Sequence, residues 1–357
     1  MRTSQTANCR VQNAEQALRR LAVVALVVVS LATPAHALFT KVGMAGLTFL
    51  KIGVGRCNGM GDAFVAIADD ATAAYWNPAG LALLTKRQAL VNHIDWIADL
   101  NHEFVTVALP TKAGNIGIGV TALTMGDMEE TTLEEYQGTG FIFSGSDLAL
   151  NLSYARMFTD KLAFGATVKV LSERIWDVGC TGAAFDFGVH YNTGWRNLRL
   201  AMAIANFGPD IRYQGSLLNF MYDPNWEWPW SREMIPGTYL TENFALPVVF
   251  RFGLAYDFLR NDDSYLTAAA DLNHFNDVNE KVNLGLEYNY KPLYLRAGYI
   301  LNIDASYAGD IGWKTGLSAG AGLKVKPTQA LGLTVDYSYR DLARLGGSHR
   351  VSLMVDF

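Results

Sequence analysis

The side chains that could carry acid–base, nucleophilic or metal chemistry are thinly spread. Past residue 37 the histidines are His93, His102, His190, His274 and His349, each in a different stretch of chain. None lies in a Gly-x-Ser-x-Gly or His-Glu-x-x-His setting, the patterns that give a serine its base or put two zinc ligands on one helix face. Asp69 and Asp70 could hold a cation, but at the head of "DDATAAYW" they read as caps of a short helix. "GVGRCNGMG" has the wrong glycine spacing for a dinucleotide turn, and no strand precedes it. "NDD" at Asn261 reads as a turn rather than a calcium site. Cys57 and Cys180 are too few and too far apart for zinc. They either pair, which an exported compartment allows, or stay free thiols. No enzyme activity, metal or cofactor is expected.

What remains is recognition chemistry, and two sets of residues could supply it. Lys169, Arg251, Lys281, Glu287, Arg296 and Asp336 fall in mid-strand positions on a polar face. The cations could steer a carboxylate. The blander reading is a paired interior, since Asp186, Asp257 and Asp271 share that face. Trp226, Trp228, Trp230 and Met234 crowd one long connection. They could collect an apolar ligand or partner, or simply anchor a loop at a membrane interface.

The elements that would position these residues are strands. From about residue 88 the chain alternates with period two, the mark of strands with unlike faces. "EKVNLGLEYNY" sets Val282, Leu284, Leu286, Tyr288 and Tyr290 against Lys281, Asn283, Gly285, Glu287 and Asn289. "QALGLTVDYSYR" repeats the scheme. Charge in mid-strand is costly against a dry core, while aromatics gathered at strand ends fit the girdles of a membrane barrel. About fourteen candidates approach the roughly 9–11 residues that a tilted membrane strand needs. Their expected starts include Gln88, Arg196, Leu246, Asn279 and Ile311. Alternate connections are short, and the two longest, residues 125–145 and 208–245, fall on the other side of the count. That is the asymmetry of a barrel with short periplasmic turns and longer outer loops.

The predicted fold is therefore all-β: a transmembrane antiparallel barrel of about fourteen strands over residues 88–357, with an N-terminal hatch inside its lumen. Residues 1–37 read as a signal peptide, with arginines, an apolar run of residues 21–32 and an Ala35-x-Ala37 cleavage site. The run is short of the roughly 20 residues that span a bilayer as helix. A net charge of −5 argues against a nucleic-acid partner.

Residues 38–87 are too glycine-rich for strands, and a barrel of this size has an open lumen unless something fills it. The expectation is that they enter at the periplasmic mouth and fold inward. Gly53, Gly55, Gly59 and Gly61 allow tight turns. Pro78 stops the short helix that ends at Trp76, and leaves Asn77 extended, its amide free to bond the wall.

"GVGRCNGMGDAFVAIADDATAAYWNPAGLA" resembles the N-terminal signature of the PorV/PorQ family, within the barrels typified by the FadL long-chain fatty acid transporter. The resemblance implies fourteen strands, an Asn77-Pro78-Ala79 hatch element and an outer-membrane location. It also implies that Phe357, a terminal-strand aromatic, is read by the barrel-assembly machinery. On the PorV/PorQ side it implies an accessory role beside type IX-like secretion, with secreted proteins or other secretion components as partners. On the FadL side it implies a conduit for hydrophobic small molecules, collected at the outer loops and passed through the wall after the hatch shifts. Outer-membrane lipid is a partner on either reading.

Overall fold

The computed structural model describes residues 41–357 apart from 44, 196, 225–233, 262, 303–315, 329–330 and 343–344. The expected signal peptide and the tryptophans at 226, 228 and 230 lie outside the described residues.

The strands that close the wall are β1 Gln88–Asp95, β2 Asn101–Thr111, β3 Gly114–Thr124, β4 Gly145–Met157, β5 Leu162–Ile175, β6 Val178–Asn192 and β7 Arg199–Phe207. They continue as β8 Val249–Arg260, β9 Ser264–Phe275, β10 Lys281–Tyr290, β11 Leu293–Asn302, β12 Leu317–Val325, β13 Gly332–Asp341 and β14 Gly347–Asp356. Each pairs with its neighbours in sequence, antiparallel, and β1 pairs with β14 from Gln88↔Asp356 to Asp95↔His349. The result is a closed barrel, which leaves no strand edge open to lipid.

The alternation sets the faces as the sequence predicts. On β10, Asn283, Gly285, Glu287 and Asn289 are buried toward the bore, while Leu286, Tyr288 and Tyr290 are exposed outside. On β4, Leu148, Leu150, Leu152 and Tyr154 face outward. Such a surface is stable only against hydrocarbon, which makes it the lipid face of a spanning barrel. Where the expected strand starts fall on described residues they lie within three residues of the observed ones; the starts expected at Arg196 and Ile311 lie outside the described residues. The largest of these offsets is at β8: Val248 N–H donates to Leu246 O at 2.8 Å, a turn that draws Leu246 inward, so the strand begins at Val249.

Residues 112–113, 158–161, 193–198, 261–263, 291–292 and 326–331 connect strands at one end, the short-turn mouth. Residues 125–144 and 208–248 emerge at the other, the long-loop mouth, and carry small two-stranded ribbons.

Ahead of β1 the chain lies inside. It forms 3₁₀ turns at Thr48–Lys51, Gly55–Met60 and Pro78–Leu83 and one α-helical turn, Ala73–Trp76. Ala63, Ala66, Ala68, Ala71, Ala73 and Ala74 are fully buried. The direction differs from the sequence expectation. Lys41 pairs with Glu280 at 2.9 Å and Val42 N–H donates to Asn276 O, both at the long-loop mouth. Gln88, where β1 begins, is at the short-turn mouth. The inner segment therefore crosses the whole bore instead of entering and leaving by one mouth. Composition shows that a segment is small and compact, not which end its first residue seeks.

Candidate functional site

The inner segment has little regular structure, so its backbone donors and acceptors lack a ladder. Buried without partners, each would cost about 1–3 kcal/mol. The wall supplies the partners. Asp271 Oδ2 accepts the N–H of Phe64 at 2.6 Å and of Val65 at 2.9 Å. Gln88 Oε1 accepts Ala71 N–H at 2.8 Å, and Asn92 Oδ1 accepts Gly55 N–H at 3.1 Å. Asn115 donates to Leu81 O at 2.6 Å and Leu84 O at 2.9 Å.

Wall glycines let the segment approach at backbone distance. A Cβ at Gly298 would lie 2.0 Å from Gly61 N and Met60 C. One at Gly165 would lie 2.3 Å from Pro78 C. No side chain fits there, so these glycines are docking positions for the segment.

The motif residues take their places within this contact. Asn77 is extended (φ −157°); its Nδ2 donates to Val65 O and to the wall at Val189 O, each at 3.2 Å, and its Oδ1 accepts Ala79 N–H at 3.1 Å. Pro78 opens the next turn. Trp76 is buried, its Nε1 donating to Val54 O at 3.0 Å. The helix before it is shorter than expected and has Thr72 at its N-cap without a side-chain cap. Asp70 instead accepts Thr72 N–H at 2.8 Å, while Asp69 pairs with Arg56. Gly55 and Gly61 have positive φ, 78° and 64°. Gly53 and Gly59 do not; Gly59 is held to glycine by the Gly320 backbone, which its Cβ would meet at 2.9 Å.

The charges on the polar face are engaged. Arg296 lies between Glu287 at 2.6 Å and Asp336 at 2.5 Å. Arg56 pairs with Asp70 within the inner segment at 2.7 Å and reaches the wall at Glu287, 3.3 Å away. Lys169 pairs with Asp186 at 2.7 Å, beside Asn206, whose positive φ (61°) marks a register shift between β6 and β7. Arg251 donates to Trp76 O at 3.3 Å and Tyr75 O at 3.4 Å, satisfying carbonyls at the end of the helical turn. Lys281 stands 5.4 Å from the Phe275 ring centroid. Apart from Lys281, these groups are consumed by one another and by the inner segment, which favours the paired-interior reading.

At the long-loop mouth lies an apolar cluster. Leu47, Phe49, Leu50 and Ile52 of the inner segment pack with Ile94, Leu171, Cys180, Ile211 and Leu246, edged by Trp96, Leu123, Tyr213 and Phe244. Ile211 and Leu246 come from the chain between β7 and β8, which folds back over the bore. Cys180 belongs here and Cys57 to the deeper cluster, so both are free and buried. Met234 is exposed in the loop, apart from this cluster. Beside the cluster, an open cavity of ≈ 520 Å³ is lined mainly by polar groups, among them Glu173, Arg174, Asp210 and Arg212. Phe357 is half-exposed outside, its N–H bonded to Arg87 O at 2.9 Å.

Sequence reasoning missed the wall side of this interface. Asp271, Asn115, Gln88 and Asn92 read as ordinary lumenal polar residues. A usable signal was the run of glycines at inward positions, among them Gly253, Gly285 and Gly298, where a solvated wall has no need of them.

A family model described as "Uncharacterised protein family (UPF0164)" matches residues 25–180. No curated protein matches the sequence. Among solved structures the chain is similar to a Pseudomonas aeruginosa FadL homologue, at 14% identity and TM-score 0.50, covering 86% of this chain and 98% of that one. It is similar to the CymD monoaromatic hydrocarbon channel at 13% identity and TM-score 0.52, covering 88% and 98%. The Ralstonia pickettii toluene transporter TbuX gives 13% identity and TM-score 0.51, covering 86% and 98%. At these identities the likeness is one of fold.

Proposed function

We propose that this chain is an outer-membrane conduit for hydrophobic small molecules, with no catalytic role. The observation that carries the reading is the pairing of two features in one bore. A segment bonded to the wall through buried polar contacts obstructs the axial path, and an apolar cluster roofs it at the long-loop mouth. A water-filled pore for polar solutes would need neither. A conduit for apolar solutes needs a site that shields them from water and a barrier against ions and sugars. The structural relatives, which include channels for hydrocarbons, support the same reading. On it, residues 41–87 act as the hatch, Asn77 and Pro78 form part of its hold on the wall, and the loops gather the solute.

The secretion-linked role implied by the PorV/PorQ resemblance rests on the motif alone, and neither the site nor the relatives add to it. Purification from native membranes, followed by mass spectrometry of what co-purifies, separates the two. Bound apolar small molecules are expected. Secreted proteins recovered without such molecules would overturn the conduit reading in favour of the secretion-linked one.

A further inference from the structure

We infer that the rim of the short-turn mouth carries a docking site for an anionic phospholipid, held at its headgroup by Lys112 and Arg156. The site depends only on the lipid-facing wall and not on the solute that crosses the bore.

An open cavity of ≈ 260 Å³ lies at this rim, between the turn that joins β2 to β3 and the end of β4. Lys112 from the turn and Arg156 from β4 both line it, with Thr111, Gly114 and Met157. The wall brings these stretches together. Asn115 on β3 pairs with Ala155 on β4, which sets the outward Arg156 beside the turn. Tyr154 then fixes the turn itself: its hydroxyl donates to Ala113 O at 2.6 Å, so the residue after Lys112 is tied to β4. The two basic residues are thus placed by a strand ladder and a side-chain bond, not by two independent loops.

No carboxylate is among the lining residues, and among the described residues neither cation forms an ion pair. The neighbouring turn adds Asp160 and Lys161, which offset each other in charge. A guanidinium and an ammonium on one cavity suit the two free oxygens of a phosphodiester, which the guanidinium takes as a fork. A headgroup with its own ammonium, such as phosphatidylethanolamine, would set a like charge beside them. Phosphatidylglycerol would not.

The acyl chains have a surface next to the cavity. Tyr154, Phe158 and Phe164 are exposed on the outer wall, and Arg156 stands opposite Phe164. The rings of Phe158 and Phe164 meet edge to face, with centroids 5.9 Å apart. Aromatics at the ends of membrane strands mark the headgroup level, so these cations lie where a lipid phosphate does. The two mouths also differ in sign. The described connections at this mouth carry Lys112, Lys161, Lys291 and Lys326 against Asp160 and Asp263. At the long-loop mouth, residues 125–144 hold Asp127, Glu129, Glu130, Glu134 and Glu135 and no basic residue. Charge therefore favours an anionic lipid at the short-turn mouth.

The test is native mass spectrometry of the full chain in detergent, equilibrated with equal amounts of dioleoylphosphatidylglycerol and dioleoylphosphatidylethanolamine. The glycerol lipid is expected to be retained at least about fivefold over the ethanolamine lipid, the scale of one basic residue at an anionic surface. Arg156→Gln and Lys112→Gln should each lower that ratio severalfold, and together bring it near one. Tyr154→Phe keeps both charges and should lower it in part. Lys326→Gln, at the same mouth but outside the cavity, should leave it unchanged. All four side chains are exposed, so the barrel should keep its compact migration before heating in every variant. Equal retention of the two lipids by the native chain overturns the site. So does a loss in Lys326→Gln equal to that in Arg156→Gln, which would mean diffuse charge around the rim. Glycerol 3-phosphate in excess should not displace the lipid; displacement would make the cavity a pocket for free phosphate esters and overturn lipid docking.

Discussion

Asp271, in the middle of strand β9, holds the backbone of Phe64 by a carboxylate oxygen 2.6 Å from its N–H. The same oxygen takes the next N–H, of Val65, at 2.9 Å. One wall residue thus does for the inner segment what a neighbouring strand does in a sheet.

Replacing Asp271 with Ala would strand two buried N–H groups, at roughly 2–6 kcal/mol for the pair. The barrel ladder is untouched. Amide exchange at residues 64 and 65 should accelerate by orders of magnitude while the strands keep their protection. Unchanged exchange there would show that the carboxylate does not anchor the segment.

Gly298→Ala places a methyl 2.0 Å from backbone atoms of Met60 and Gly61, which cannot move aside as a flexible side chain would. Gly126→Ala meets nothing within 4 Å and serves as the control. Limited proteolysis should cut the inner segment in the first variant and spare it in the second. Equal resistance would mean that the segment tolerates separation from the wall.

The ion network predicts unequal costs within one cluster. The Asp69 side chain is 48% exposed, so Asp69→Ala should cost less than about 1 kcal/mol. Arg296 is buried between two carboxylates, and Arg296→Ala should cost about 3–5 kcal/mol by leaving them unpaired. Thermal unfolding in detergent measures both, and similar shifts in the two variants would contradict the burial argument.

Asn77→Ala removes two donated bonds and one accepted bond. The barrel should still migrate in its compact form before heating, with the segment loosened as in the Asp271 variant. Loss of compact migration would mean that Asn77 serves barrel closure itself.

The wall was legible from sequence because lipid outside and polar groups inside impose opposite demands on alternate residues. "EKVNLGLEYNY" shows both faces of β10 in eleven letters. The inner segment was legible only as composition. Its path depends on partners far away in the chain, such as Gly298 for Gly61 and Asp271 for Phe64. An inward Asp or Gly looks the same whether it faces water or another backbone. The rim cavity was hidden for a related reason: in "PTKAG" and "SYARMF", Lys112 and Arg156 read as unrelated surface charges. Only the pairing of β3 with β4 brings them together.

The central claim is that the segment before Gln88 closes the bore of a lipid-facing cylinder. Single-channel recording in planar bilayers tests it most directly. The native chain should insert and pass no steady ionic current, while the chain lacking residues 41–84 should conduct as an open pore. A stable, large ionic conductance from the intact native chain would contradict the account.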